Sequence, residues 1–94
     1  MSRLDEIRSE LDGIDREIVA LFEKRMLLVR GVAEYKLANG MQVLDRSREE
    51  TVLQSRAGML KDDYWAEDVR ALFETIMARS RGEQEKCIRE AQKK

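Results

Sequence analysis

The stretch RLDEIRSELDGIDREIVALFEKRMLLVRGVAEYKLANG, residues 3–40, decides the fold. Its apolar residues fall at Leu4, Ile7, Leu11, Ile14, Ile18 and Leu21, then at Leu28, Val32 and Tyr35, in alternating steps of three and four. That spacing keeps one face of an α-helix apolar, whereas a strand would need a period of two. Ser2 has an N-cap side chain with Asp5 three residues on, and Asn39-Gly40 is the strongest stop in the chain, because both residues tolerate the left-handed conformation of a helix end. The spacing predicts a first helix from about Arg3 to about Ala38.

Outward from it, a second helix is expected to begin at Asp45 or Ser47, where Ser47-Arg48-Glu49-Glu50 reads as a capping box, and to end near Ala57. Gly58 opens a short connection. Asp62-Asp63 then cap a third helix whose stripe is Trp65, Val69, Leu72, Phe73, Ile76 and Met77, extending toward Ile88, with Gln92-Lys93-Lys94 expected to fray. No repeat, low-complexity segment or linker divides the chain, so residues 1–94 read as one domain. The absence of proline and a charged content of 39% suit long solvated helices. The expected class is all-α, with three helices.

Length makes a further argument. A helix of roughly 36 residues is about 54 Å long, against a radius of gyration of about 12 to 13 Å for a compact domain of this size. One chain cannot cover both ends of it, and an apolar stripe along nearly the whole helix is most simply buried against a second copy. An intertwined helical homodimer is expected.

Eighteen basic residues against 19 acidic ones leave a net charge of -1, which gives no general attraction to nucleic acid or to an anionic membrane, so neither is an expected partner. Any anion site must be local. Cys87 is the only cysteine and histidine is absent, which rules out an internal disulfide and zinc-type spacings and favours a reducing compartment. The N-terminus is too acidic for a signal peptide, and no run of about 18 apolar residues exists; a cytoplasmic location is expected. Met1 and the lysine-ended tail suit a free-standing chain.

The polar residues that fall in apolar positions point to chemistry. The repeat that passes through Ile18 and Leu21 reaches Arg25 before Leu28 restores it. A guanidinium is costly to bury unpaired, so an inward Arg25 needs an anion, either a carboxylate of the protein or one on a ligand. For a lone arginine, a structural ion pair or a snorkelling side chain is the better reading. Lys36 is not remote, however: it lies about 20° round the helix from Arg25 and roughly 16 Å further along, so both cations can reach one pocket. On the third helix the stripe runs into Ser80 and Gln84, one turn apart. Arg48 sits in the first turn of the second helix beside Asp45 and Glu49, where a local Asp45–Arg48 pair is the simplest account. Arg8 is about 100° off the Arg25 face and roughly 25 Å away, so the two can share a site only across a dimer. Four cations, a carboxylate, a hydroxyl and an amide facing a helical interior describe a pocket for a small dianion with neutral oxygens. No residue has the surroundings of a nucleophile or metal ligand, and no cofactor is expected.

These positions, Arg8, Arg25, Lys36, Asp45, Arg48, Glu49, Ser80 and Gln84, resemble the active-site pattern of the all-helical (AroQ-type) chorismate mutases. The resemblance spans nearly the whole chain and is most specific at Leu4 to Arg8, Ile14 to Arg25, Tyr35-Lys36 and Asp45 to Glu49. One departure is Gly82, between the two site residues of the third helix, where it weakens the helix by about 1 kcal/mol relative to alanine. The resemblance implies an interlocked dimer with two sites, each receiving the partner's Arg8. It implies rearrangement of chorismate to prephenate in phenylalanine and tyrosine biosynthesis, without cofactor. Arg25, Arg48 and the partner's Arg8 would grip the carboxylates with Ser80 assisting. Lys36 and Gln84 would bond the ether oxygen. Glu49 would accept from the ring hydroxyl, with Asp45 or its backbone nearby. On this pattern Lys36, Gln84, Arg25 and Glu49 are the catalytic set. Gln84 carries no titratable proton, so activity over a broad neutral range is expected. Alternatives are an isochorismate pyruvate lyase of the same fold, a module that binds chorismate or prephenate without turnover, and a purely structural helical dimer.

Overall fold

A computed structural model describes residues 2–93 as three α-helices and one 3-10 turn, with no strand among the described residues. Helix α1 spans Arg3–Ala38, α2 spans Arg46–Ala57 and α3 spans Ala66–Gln92, with the 3-10 turn at Asp63–Trp65 leading into α3. Met1 and Lys94 lie outside the described residues, and with them part of the expected fraying; Gln92 is still helical.

The ends of α1 follow from the residues that cap it. Ser2 Oγ accepts from the Asp5 N–H and Asp5 returns a bond from the Ser2 N–H, a reciprocal box that satisfies two donors with no helical partner. At the other end Gly40 takes φ 64°, and the Met41 and Gly40 N–H groups bond back to the Lys36 and Leu37 carbonyls at 2.8 and 3.4 Å. This is the paired closure that a left-handed residue after a helix permits.

Of the two starts expected for α2 Asp45 holds, and the expected cap of α3 is corrected. The cap of α2 is Asp45, whose carboxylate accepts from the Arg48 N–H at 3.0 Å, and Ser47 lies inside the helix. Asp62 caps the 3-10 turn by accepting from the Tyr64 N–H, so α3 begins later, after Trp65, which supplies no side-chain cap bond. The Asp62 carboxylate captures a tight turn first, and the α-helix continues from it.

Helix α3 packs against both α1 and α2. The small core is Val29 and Ala33 of α1, Val52 of α2 and Met77 of α3. These positions on α1 are not the stripe that the sequence repeat traces. Leu28 and Tyr35 are 67% and 64% exposed, while Val29 and Ala33 are 6% and 1%. Nearer the N-terminus, Leu4, Leu11, Ile14, Ile18 and Leu21 are exposed as well. Thus α1 rests on α3 through only its C-terminal portion, along a face that also carries Arg25 and Lys36. Trp65 and Leu72 of the expected third stripe are likewise exposed. The chain extends 55 Å in its longest direction with a radius of gyration of 17.0 Å.

Candidate active site

Where α1, α2 and α3 meet, a cleft of about 170 Å³ opens between them. Its lining is Arg25, Val29, Val32 and Lys36 from α1, Val43 and Asp45 from the connection, Arg48, Glu49 and Val52 from α2, and Met77, Ser80, Arg81 and Gln84 from α3. Seven of the eight candidate residues therefore converge on one place. The eighth, Arg8, does not: it is exposed on the N-terminal part of α1 and makes no ion pair among the described residues.

The sequence left open what anion Arg25 meets. Among the described residues no carboxylate pairs with it. Burial pulls its guanidinium below the ordinary arginine value, and the positive charges of Arg56 and Arg48 push the same way. A structural ion pair for Arg25 is thus absent among the described residues, and a half-buried cation faces other cations. An anion placed here would relieve both effects.

The neighbours are similarly uncommitted. Arg48 donates its backbone N–H to Asp45 but pairs its guanidinium with no carboxylate among the described residues. The simple local pair expected for Asp45 and Arg48 is corrected to a helix cap. Lys36 Nζ donates to the Val43 carbonyl at 2.7 Å, which steers the ammonium over the cleft and uses one of its three donors.

Gln84 is 5% exposed, the one polar residue among the described residues that is buried to this degree. Its Nε2 donates to Ser80 Oγ at 3.2 Å, as their spacing of one helical turn allows. Its Oε1 is buried with no partner among the described residues. An orphaned polar atom in a native interior costs about 1–3 kcal/mol and marks a position where a further group belongs.

Arg81 was not among the residues the sequence singled out. Its Nη1 donates to both carboxylate oxygens of Glu49, at 2.5 and 2.6 Å, linking α3 to α2. It lies three residues before Gln84, so the helical neighbour rule would have placed it on this face.

Chemically, the cleft holds four cations, two carboxylates, a hydroxyl and an amide. The net charge of its ionisable groups is +2, suited to a small dianion, with donors left over for neutral oxygens.

A family model described as chorismate mutase type II matches residues 7–85. The chain is 41% identical over 56 residues to a T-protein of Haemophilus influenzae, covering 60% of this chain and 15% of that protein. It is 33% identical over 82 residues to a bifunctional chorismate mutase/prephenate dehydratase of Buchnera aphidicola subsp. Schizaphis graminum, covering 86% of this chain and 21% of that protein. The corresponding protein of Buchnera aphidicola subsp. Acyrthosiphon pisum is 31% identical over 87 residues, 87% of this chain and 22% of its own length. The chain thus spans a fifth or so of the length of the curated relatives it matches. The matched segment runs from Ile7 through Arg25, Lys36, Asp45, Arg48, Glu49 and Ser80 to just past Gln84, so every residue that lines the cleft lies within it: the chain belongs to the chorismate mutase type II family.

Proposed function

We propose that this chain rearranges chorismate to prephenate, a step of aromatic amino acid biosynthesis. The observation that carries this reading is a cleft in which Arg25, Lys36 and Arg48 converge without carboxylate partners among the described residues, beside a buried, half-satisfied amide. Chorismate is a dianion with a ring hydroxyl and an ether oxygen, and its rearrangement is intramolecular. The ether C–O bond breaks as a C–C bond forms, with no proton transfer and no covalent intermediate. A site for it needs cations and positioned donors rather than a base or nucleophile. Catalysis is then orientation plus stabilisation of the charge that grows on the ether oxygen.

On this reading Arg25 and Arg48 hold the two carboxylates so that the reacting carbons approach, with Ser80 assisting. Lys36 gives the ether oxygen a charge-assisted bond that strengthens as the C–O bond lengthens. Gln84 donates to the same oxygen. A half-turn of its amide, which leaves the shape unchanged, lets Oε1 accept from the Ser80 hydroxyl and frees the NH₂ group. Glu49 accepts from the ring hydroxyl, and Asp45 keeps α2 in register as its cap.

The working unit proposed is a homodimer in which each Arg8 completes the partner's site. Three features support it: a radius of gyration of 17.0 Å where a compact chain would have about 12 Å, the exposed apolar face of α1, and the roughly 25 Å of helix between Arg8 and Arg25. No helix is long and apolar enough to cross a membrane among the described residues. The free Cys87 fits a reducing compartment, and the cytoplasm is the proposed location.

The test is the loss of chorismate absorbance on adding purified protein, run in parallel with isochorismate. Turnover of chorismate with Lys36→Ala slower by about 10³-fold or more at unchanged helicity is expected, a size in line with removing a preorganised charged donor. An inactive parent protein, or a Lys36→Ala variant as fast as the parent, overturns the reading; pyruvate release from isochorismate alone would assign the lyase reaction instead.

A further inference from the structure

The cleft contains a carboxylate that ought to defeat it. Glu49 is half-buried among cations, one residue after Arg48 on α2, and it lines the same cleft as Arg25 and Lys36. A carboxylate tethered that close is present at a very high effective concentration and would pair with a free guanidinium before any dissolved dianion could. Asp45 is held at one oxygen, since its Oδ1 accepts the backbone N–H of Arg48 at the start of α2. Glu49 has no such backbone partner. Both of its oxygens are instead taken up by one guanidinium nitrogen of Arg81, reaching across from α3.

We propose that Arg81 is a positioning residue that holds Glu49 away from Arg25, Arg48 and Lys36, so that the three cations stay open to the dianion while the outer lone pairs of Glu49 remain free to accept from its hydroxyl. This rests on the proposed function for the identity of the dianion, but the arrangement itself concerns only which cation Glu49 faces. Arg81 is suited to the task because a guanidinium on one helix can satisfy both oxygens of a carboxylate on another, fixing its rotamer as well as its charge. Removing Arg81 costs the cleft a positive charge and releases an internal competitor. Both effects weaken dianion binding, but only the second depends on Glu49.

That dependence is the test. In Arg81→Ala, KM for chorismate is expected to rise about tenfold or more, the equivalent of one strong ion pair lost to the ligand. In a Glu49→Gln background, the same Arg81→Ala change is expected to raise KM by less than about threefold, the residue of the lost long-range charge. Arg81→Lys, which retains the cation but loses the planar fork, is expected to raise KM by less than Arg81→Ala does. If Arg81→Ala loses helicity, Arg81→Gln keeps the stem and replaces it. A KM effect of equal size in both backgrounds overturns the proposal, since Arg81 would then be gripping the ligand or merely supporting the fold. So does an unchanged KM in Arg81→Ala. A parent protein that leaves chorismate unchanged sinks the proposed function alone; the same variants are then titrated calorimetrically with malate. There, weaker malate binding in Arg81→Ala that is largely restored by adding Glu49→Gln supports the positioning role, and equal affinities or no malate binding in any variant overturn it.

Discussion

Arg25 carries its positive charge into a half-buried position, with two further arginines raising the local potential and no carboxylate among the described residues to answer it. In the empty protein that arrangement is a liability, because both desolvation and like-charge repulsion oppose the charged form. A site that binds a dianion accepts such a cost before its ligand arrives. Arg25→Leu should therefore leave the free protein as stable as the parent, or up to about 1 kcal/mol more stable, since replacing an uncompensated buried charge by a well-packed aliphatic side chain is often favourable. The same change should lower kcat/KM by about 10²-fold or more, because an arginine contact to a carboxylate is lost. Thermal melting and steady-state kinetics on one preparation check both; a marked drop in melting temperature would mean that Arg25 has a structural anion after all. At this scale the sequence was legible wherever a polar residue interrupted an apolar repeat, which is how Arg25, Ser80 and Gln84 stood out. Arg81 breaks no apolar repeat: its spacing from Gln84 could have put it on the cleft face, but only the crossing of α3 over α2 reveals that its partner is Glu49.

The helices themselves were read nearly to the residue, since their ends are written in local chemistry: Ser2 with Asp5 at the start of α1, Asn39-Gly40 at its end, Gly58 after α2. Local pattern could not rank Asp45 against Ser47, two residues apart, as the start of α2, and the error lies at Asp62-Asp63, where Asp62 caps the 3-10 turn rather than α3. The buried face of α1 was also misjudged, for a geometric reason. A strict 3.5-residue repeat drifts by about 20° per heptad on a straight helix, so the stripe begun at Leu4 has rotated away from α3 by the time it reaches Leu28 and Tyr35. Gly82 offers an element-scale test. It is exposed in the middle of α3, a Cβ added there meets nothing within 4 Å, and its backbone is ordinary right-handed helix. Gly82→Ala should stabilise the protein by about 0.5–1 kcal/mol through the lost flexibility of the unfolded chain, raising the melting temperature by roughly 2–8 °C. A decrease would show that the position is covered in the assembled protein.

At the scale of the whole molecule, the heptad repeat that misses α3 is the kind of repeat that suits another helix wound against it. In the single chain its residues Leu4, Ile7, Leu11, Ile14, Ile18 and Leu21 are between 38% and 65% exposed, a row of large apolar side chains of the kind that marks an interaction surface. Pairing with a second copy would bury that face, and if the two α1 helices run antiparallel, it would also carry each Arg8 toward the other chain's cleft. Two-fold symmetry then makes a sharp prediction about mixed subunits. If Arg8 completes the partner's site, Arg8→Ala and Lys36→Ala each disable both sites of a homodimer. In a heterodimer of the two variants, one site inherits both defects, while the other receives Lys36 from one chain and Arg8 from its partner, both intact. Unfolding and refolding an equal mixture should therefore generate activity that neither variant has alone, reaching about a quarter of the parent's, because about half of randomly paired dimers are mixed and each has one good site. Sedimentation at micromolar concentration supplies the companion measurement, with an Ile18→Asp/Leu21→Asp variant expected to dissociate and to lose turnover together. A refolded mixture no more active than its components, or an 11.0 kDa species retaining full activity, would return Arg8 to the solvent-facing role that its exposure in the single chain suggests.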